Sequence, residues 1–384
     1  MKKKIIFFSA IIFSLYSCKT PPETDNLLKT KSQEIQTLSL LFLGDIMAHA
    51  ENFKMQDFNK IWTEVKPIFS KCDFVFGNIE SPIDDRRPFS SYPEFNMKNS
   101  YPKAMIDAGI NVFSLANNHT NDQKIDGILQ TFLWAESNEN SNKIYFSGIK
   151  NIPNSEITYK IIEYNSWRII FCAITEILNQ NIGKEYINFV NYTEQGRNDF
   201  IKTVNNIRHS NESDIFILSI HSNETEYVKD VKESRKKYYH SLLENGVDVI
   251  WANHPHIVRE RELIGDKNSK KIKKIILYGN GNTISGQRRN PQFKNPENSR
   301  DNTGDSLMFF ADFSKDLQTG ETYISRTKPY YITTYINTAW NFVIKNLDED
   351  FINYLEENNR SDWKEYIKKR KEITEQTKET IIWQ

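Results

Sequence analysis

Asp248-Val-Ile-Trp-Ala-Asn-His-Pro-His256 carries an apolar run into two histidines separated by one proline. Val249 and Ile250 are strand-forming residues, and Pro255 stiffens the turn that follows them, so both imidazoles leave the same edge of a sheet. A histidine pair alone does not identify a metal site, because histidine is also a common core or loop residue. Four other stretches end in the same way, an apolar run closing on side chains competent to bind metal. The remainder of the chain reads as the frame that brings these five ends together.

With 384 residues the chain is long enough for one large α/β domain or two ordinary ones, and for a deep cleft. Fifty basic and fifty acidic residues leave no net charge, which argues against a general nucleic-acid binder. The 24 Phe, 18 Tyr and 7 Trp, against only 14 Gly, suit a packed enzyme-like body rather than a fibrous or disordered chain.

The N-terminus is of another kind. Lys2, Lys3 and Lys4 precede the short apolar run Ile5 to Leu15, and Leu15-Tyr-Ser-Cys18 closes it. The run is short for a membrane span and reads as an export signal. It resembles a bacterial lipoprotein signal, which makes Cys18 the lipid-modified first residue of the mature chain and Lys19 to Thr37 a flexible tether. Cys72 and Cys172 read as small buried hydrophobes, with no disulfide expected between them.

The body opens with Leu38-Ser-Leu-Leu-Phe-Leu-Gly-Asp45, apolar on both faces as buried strands are. A helical spacing over Ile61 to Ser70 leads to the strand Asp73 to Glu80, the unit expected of a parallel crossover. Helices are expected over Pro102–Ala108, Ile125–Ser137, Glu194–Asn205 and Lys232–Asn245. Strands are expected over Ile110–His119, Ile144–Phe146, Glu156–Tyr164, Trp167–Ile174, Asp214–His221, Lys273–Asn280, Ser306–Phe313 and Thr322–Ser325. Asn165-Ser166 marks a hairpin turn. Glu176 to Glu194 carries no clear pattern, and Ser285 to Thr303 reads as a long mobile loop. Beyond Asn346, Phe351, Tyr354, Leu355, Trp363, Tyr366 and Ile367 fall at helical spacing, as one or two helices on the domain surface. The expected divisions are therefore residues 1–18, 19–37, 38–335 and a helical extension over 336–384.

Five strand ends now carry Asp45; Asn78 with Glu80; Asn118 with His119; His221; and His254 with His256. In open α/β sheets ligands bind beyond the carboxyl ends of the strands, so these side chains can share one crevice. Imidazoles, carboxylates and an amide oxygen suit zinc, manganese or iron. Two such ions, roughly 3.5–4 Å apart, activate a water and hold phosphate oxygens. A histidine beside the ligands but not itself bound can protonate the leaving group, and His119 is the candidate.

Leu43-Gly-Asp45, Phe76-Gly-Asn-Ile-Glu80, Ser114-Leu-Ala-Asn-Asn-His119, the strand ending in His221, Asn253-His-Pro-His256 and Tyr278-Gly-Asn280 resemble, in order, the capsule-synthesis CapA family associated with poly-γ-glutamate production. The resemblance covers Leu38 to Tyr330. It implies a calcineurin-like metallophosphatase fold, an αββα sandwich of two mixed sheets flanked by helices, in an exported, membrane-attached protein. Carried over by position, it implies Asp45 and His256 on one divalent ion, Asn118, His221 and His254 on another, Glu80 bridging, and His119 as the acid. Asn78 and Asn280 would contact substrate. Three departures stand out. Met47 occupies the place where that superfamily has a histidine, with His49 two residues later. Ser222-Asn223 replaces a common Trp-Gly, and Asn253 stands where a further histidine is common. One or two ions per chain are thus expected.

Two functional readings follow. The first is a metal-dependent phosphoesterase-type hydrolase at the cell surface, acting on an envelope polymer or its precursor, with other capsule-synthesis membrane proteins as partners. The second is a non-catalytic lipoprotein that anchors or exports an anionic polymer, for which Arg86, Arg87, Arg288 and Arg289 would have to form a basic rim around the crevice. A nucleic-acid phosphoesterase fits poorly with export and zero net charge.

Overall fold

The computed structural model describes residues 34–142, 144–154 and 156–384. The expected signal, Cys18 and the tether up to Gln33 lie outside the described residues. The first strand, β1 (Ile35–Ile46), starts inside the segment read as tether, and Leu40 to Leu43 are fully buried, as an apolar run without a polar face requires. Two one-turn helices follow, α1 (Asn59–Trp62) and α2 (Lys66–Phe69), where one longer helix was expected. Pro67 near the start of α2 has no N–H to continue a preceding helix and restricts the residue before it, which divides the segment.

The chain continues through β2 (Phe74–Ile79), α3 (Ser100–Ala108), β3 (Val112–Ser114), α4 (Lys124–Asn142) and β4 (Tyr145–Ser147). The strand expected up to His119 stops at Ser114. Beyond it Thr120 Oγ1 bonds the Leu115 carbonyl at 2.8 Å and receives the Asn117 N–H at 2.8 Å, so the backbone turns over the sheet edge. A hairpin, β5 (Lys160–Tyr164) and β6 (Trp167–Thr175), leads into α5 (Glu194–Ser210), β7 (Ile215–His221), α6 (Glu233–Glu244) and β8 (Val249–Asn253). Then come β9 (Arg261–Asp266), β10 (Lys271–Leu277), β11 (Asn282–Ile284), β12 (Asp305–Asp316), β13 (Thr322–Ile336), β14 (Phe342–Asn346), α7 (Glu349–Glu357), α8 (Ser361–Glu375) and β15 (Glu379–Trp383).

One half-sheet has the order β4-β3-β2-β1-β12-β13 and the other β10-β8-β7-β6-β5, joined through the single pair Ile272 and Ile324. Alternation along the second half assigns its faces. Phe171, Ile217 and Trp251 join the core between the halves, while Cys172, Leu218 and Ile250 join a separate core under α5 and α6 with Phe200, Val204 and Leu242. The inner faces meet through aromatic pairs, Phe42 to Trp251 at 6.1 Å and Phe76 to Phe171 at 5.5 Å. Trp251 also donates its indole N–H to the Leu43 carbonyl at 2.6 Å, and truncating so buried a ring costs about 3–5 kcal/mol. The result is a mixed αββα sandwich, the expected architecture.

Residues 336–384 are not only helical. Strand β14 pairs with β13, β15 pairs with β9, and Phe351, Leu355, Trp363, Tyr366 and Ile367 are buried in the main core. Tyr354 is exposed. Ser285 to Thr303, expected as a mobile loop, is anchored: buried Arg288 donates to Asp305 Oδ1 and Thr333 Oγ1, both at 2.7 Å, and Tyr366 of α8 donates to Asp301 Oδ2 at 2.9 Å. Cys72 and Cys172 are free thiols, half-buried and buried respectively.

Candidate metal centre

Strand register delivers the five ends to one level. On the first half-sheet Asp45 lies opposite Asn78, and Asn78 opposite Ser114, in parallel pairs. On the second, Thr175 lies opposite His221 and His221 opposite Asn253. The two edges touch where Ser219 Oγ donates to Ser114 Oγ at 2.9 Å. Gly44 makes the bottom of this edge possible: a Cβ there would sit 1.9 Å from the Gly281 carbonyl oxygen, so only glycine lets β1 and β11 approach.

Three overlapping sets of ligand atoms result, each set within 4.8 Å: Asp45, Glu80 and His256; Glu80, His221 and His254; and Glu226, His254 and His256. Glu80 is common to the first two. His221 Nε2 lies 3.7 Å from Glu80 Oε1 and 2.9 Å from Asn118 Oδ1. His256 Nδ1 lies 3.1 Å from Asp45 Oδ2, and its Nε2 lies 3.8 Å from Glu80 Oε1. Ligand atoms roughly 2.0–2.2 Å from one ion are themselves about 2.8–3.6 Å apart at octahedral or tetrahedral angles, so the 2.9 and 3.1 Å separations suit a shared cation and the two to Glu80, at 3.7 and 3.8 Å, lie just beyond that range.

Burial gives the same answer. Both Glu80 oxygens, Nδ1 of His221 and Nδ1 of His254 are buried without any hydrogen-bond partner. A buried carboxylate left so costs about 1–3 kcal/mol or more, and a divalent cation is the natural compensation. Burial, followed by the nearby carboxylates of Asp45 and Glu226, raises the Glu80 carboxyl well above the usual range. Burial and the His256 charge lower His254 to about 4, and burial and His254 push His221 well down. Both imidazoles are therefore neutral, the form that binds metal.

The backbone here is strained. His254 and His256 adopt positive φ of +98° and +59° on either side of Pro255, a conformation that costs non-glycine residues about 1–3 kcal/mol each. The turn is pinned by the Tyr227 N–H, which donates to the Pro255 carbonyl at 3.0 Å, and its two imidazoles lie 5.8 Å apart. Tyr227 sits on the segment after β7, which a buried ion-pair network holds. Glu176, from the stretch without a clear sequence pattern, pairs with Arg235 at 2.6 Å and accepts the Asn223 N–H at 3.0 Å.

Above this floor opens a cleft of about 820 Å³, lined by Met47, His49, His119, Glu226, Tyr227, His256, Arg289 and Arg300 among others. His119 Nδ1 faces Asp122 Oδ2 at 2.7 Å, and its backbone N–H donates to Asn117 Oδ1 at 3.2 Å. The ring is thereby oriented as a proton carrier would be, with Nε2 left for the cleft.

The structure places Asp45, Glu80, Asn118, His221, His254 and His256 together, with His119 beside them. Asn78 and Asn280, expected to contact substrate, do not line the cleft. Asn78 is fully buried and donates to Asp45 Oδ1 at 2.7 Å, while Asn280 donates to the Phe42 and Leu43 carbonyls at 3.1 and 3.2 Å. Each sits at a strand end where a neighbouring strand takes its amide. The four arginines do not form a rim. Arg86 and Arg87 pair with Asp84 and Asp126 away from the cleft; Arg288 and Arg289 both border it with Arg300, Arg288 buried on Asp305 and Arg289 paired with Glu51.

Residues without a sequence assignment also enter. Glu226 belongs to the third ligand set, Asp122 orients His119 from three residues downstream, and Asn282 Oδ1 lies 3.0 Å from His256 Nδ1. The acid three positions after His119 was a readable signal. Glu226 and Asn282 sit on loop and edge-strand segments with no periodicity to mark them.

Comparison with known proteins adds the following. Residues 39–287 match the family model described as bacterial capsule synthesis protein PGA_cap. The chain is 23% identical over 265 residues to the PGA biosynthesis protein CapA of Bacillus subtilis (strain 168), covering 67% of this chain and 66% of that one. It is 22% identical over 275 residues to the capsule biosynthesis protein CapA of Bacillus anthracis, covering 69% and 64%. The match thus spans just under two thirds of those relatives. Among solved structures, one described as a novel phosphatase from Mycoplasma pneumoniae aligns with a TM-score of 0.47 at 15% identity, over 78% of this chain and 95% of that one. A hypothetical protein from Thermus thermophilus aligns with a TM-score of 0.44 at 14% identity, over 77% and 98%.

Proposed function

We propose, for a chain that belongs to the bacterial capsule synthesis protein PGA_cap family, that it is a metal-dependent phosphoesterase-type hydrolase of the cell envelope, taking part in the synthesis of a capsule or poly-γ-glutamate-type polymer. The observation that carries the reading is the pair of ligand sets meeting at Glu80, whose buried oxygens have no other partner. Asp45 and His256 would hold one manganese, zinc or iron ion, and His221, His254 and Asn118 a second. Such ions supply a water activated at neutral pH and neutralise phosphoryl oxygens.

The chain's own residues supply the rest. Asp122 holds Nδ1 of His119 at 2.7 Å, and Phe95 packs on the ring at 4.6 Å, which leaves Nε2 to protonate the leaving oxygen. Arg300, with its guanidinium 5.0 Å from the Tyr227 ring, and Arg289 put positive charge on the cleft wall for an anionic substrate. Asn78 fixes the Asp45 carboxylate through a 2.7 Å hydrogen bond and acts as a positioning residue.

The signal pattern ending at Cys18 supports export and a lipid-anchored place at the membrane, where an envelope polymer or its precursor would be met. Metal analysis of the protein beginning after Cys18 tests the reading, together with hydrolysis of phosphomonoesters and phosphodiesters in added manganese or zinc. Close to two equivalents of metal, lost in His254→Ala and His221→Ala, with metal-dependent hydrolysis, is the expected result. A folded protein without metal or hydrolysis would leave the non-catalytic polymer-handling role instead.

A further inference from the structure

We propose that His49 is a fixed hydrogen-bond donor of the cleft, holding a phosphoryl oxygen of the substrate while His119 moves the proton. The inference rests on the hydrolase reading above. His49 lies on the turn after β1, four residues beyond Asp45, and belongs to none of the three ligand sets. It lines the same cleft as His119, and both rings meet the buried Phe95 edge-on, His49 at 5.0 Å and His119 at 4.6 Å. Phe95 is thus a spacer that holds two imidazoles on one wall.

The two rings are wired oppositely. Nδ1 of His119 lies 2.7 Å from the Asp122 carboxylate and 3.2 Å from the Asn179 amide nitrogen, and the shorter contact to the charged acceptor places the proton on Nδ1. Nδ1 of His49 faces a donor, the Gly286 N–H at 3.2 Å. A nitrogen that accepts an N–H carries no proton of its own, so the neutral His49 ring bears its hydrogen on Nε2. No hydrogen bond to that Nε2 is formed among the described residues, and the residue lines the cleft.

This wiring is built into the fold. A side chain on residue 286 would place its Cβ 2.7 Å from His49 Cβ and 2.8 Å from Glu51 Oε2, so the N–H reaches the ring only because Gly286 has none. The groups around the ring are His256, His119 and Arg300, with Glu51 as the one opposing carboxylate. Burial first, then His256, lower its pKa to about 3. A ring that stays neutral and protonated at Nε2 suits binding an oxygen rather than acid-base work.

The test uses the metal-loaded protein beginning after Cys18, with inorganic phosphate as the probe. His49→Phe keeps the packing on Phe95 and removes the donor, whereas His49→Gln keeps an N–H. Removing one neutral donor should weaken phosphate binding about 3- to 10-fold in the Phe variant, with metal content unchanged and the Gln variant closer to wild type. Imidazole nitrogen NMR on histidine-labelled protein should show His49 as the Nε2–H tautomer, without titration through neutral pH. A titrating or Nδ1–H ring, or wild-type phosphate binding by His49→Phe, would overturn the inference alone. Loss of metal in that variant would make His49 a ligand and overturn it too. A wild-type protein binding neither metal nor phosphate would remove the hydrolase reading and this inference with it.

Discussion

Replacing Glu80 by glutamine should reverse the sign of its effect when metal is added. In chelated protein the wild-type carboxyl is fully buried, accepts no hydrogen bond and lies near Asp45 and Glu226. Its folded pKa is raised, by burial first, above the ordinary value of 4.5. Such a group contributes its stability below that value and loses it as pH rises toward the folded pKa, so the cost is in force at neutral pH. An unpaired buried group of this kind costs about 1–3 kcal/mol. For a domain of roughly 350 residues the unfolding entropy is about 0.7 kcal/mol per degree, which converts the cost to about 1.5–4 °C in Tm. Glu80→Gln has nearly the same shape without the charge, and in chelator at neutral pH it should melt higher by that amount. With metal at 100 times its Kd, wild type gains about 2.7 kcal/mol, or roughly 4 °C, while the variant loses the ligand common to both sets. Scanning calorimetry of both proteins, in chelator and in excess manganese or zinc, reads the crossover. A variant that melts lower in chelator, or that gains as much from metal as wild type, would refute the role of Glu80 as a shared ligand.

His119→Gln should lower kcat by about 10²- to 10⁴-fold while metal content stays at the wild-type level, since the ring acts beside the ligands and not among them; loss of metal in parallel would place it in the coordination sphere. Asp305→Asn removes the charge that buried Arg288 and Arg370 share, with contacts of 2.6–2.7 Å, and should cost about 3–5 kcal/mol, seen as a fall of roughly 4–7 °C in Tm. Burial pushes the Asp305 carboxyl up, but Arg370 and Arg288 outweigh it and hold the group below 3.8. Its contribution is therefore present above that pH and lost as pH falls through the folded value, so the gap between wild type and variant should narrow in acid. Gly44→Ala forces a Cβ to 1.9 Å from the Gly281 oxygen and should cost about 3 kcal/mol or more, measured by urea unfolding. Burial raises both Cys72 and Cys172 to about 12, so neither thiol of the protein beginning after Cys18 should react with a thiol reagent at neutral pH until denaturant is added.

The apolar runs by themselves determined the central strands. Leu40 to Leu43, Phe74 to Phe76, Ile215 to Leu218 and Val249 to Trp251 have no polar face, and only a strand covered on both sides buries them. Because each run closes on polar residues at its carboxyl end, Asp45, Glu80, Asn118, His119, His221, His254 and His256 were legible as one candidate site. The spacing of Phe351, Leu355, Trp363 and Ile367 likewise determined α7 and α8. Strands β9, β11, β14 and β15 were not legible, since short or edge strands carry too few alternating residues to stand out from loops. Only the tertiary structure decided which polar residues face the ligands. Asn78 and Asn280 are turned onto neighbouring backbone or carboxylate, whereas Glu226, His49, Asn282 and Arg300 arrive from segments far apart in the chain. The physical reason is that local propensity acts over a few residues, while the register of β1 with β2 and β11, and of β7 with β8, sets which side chains come to one level.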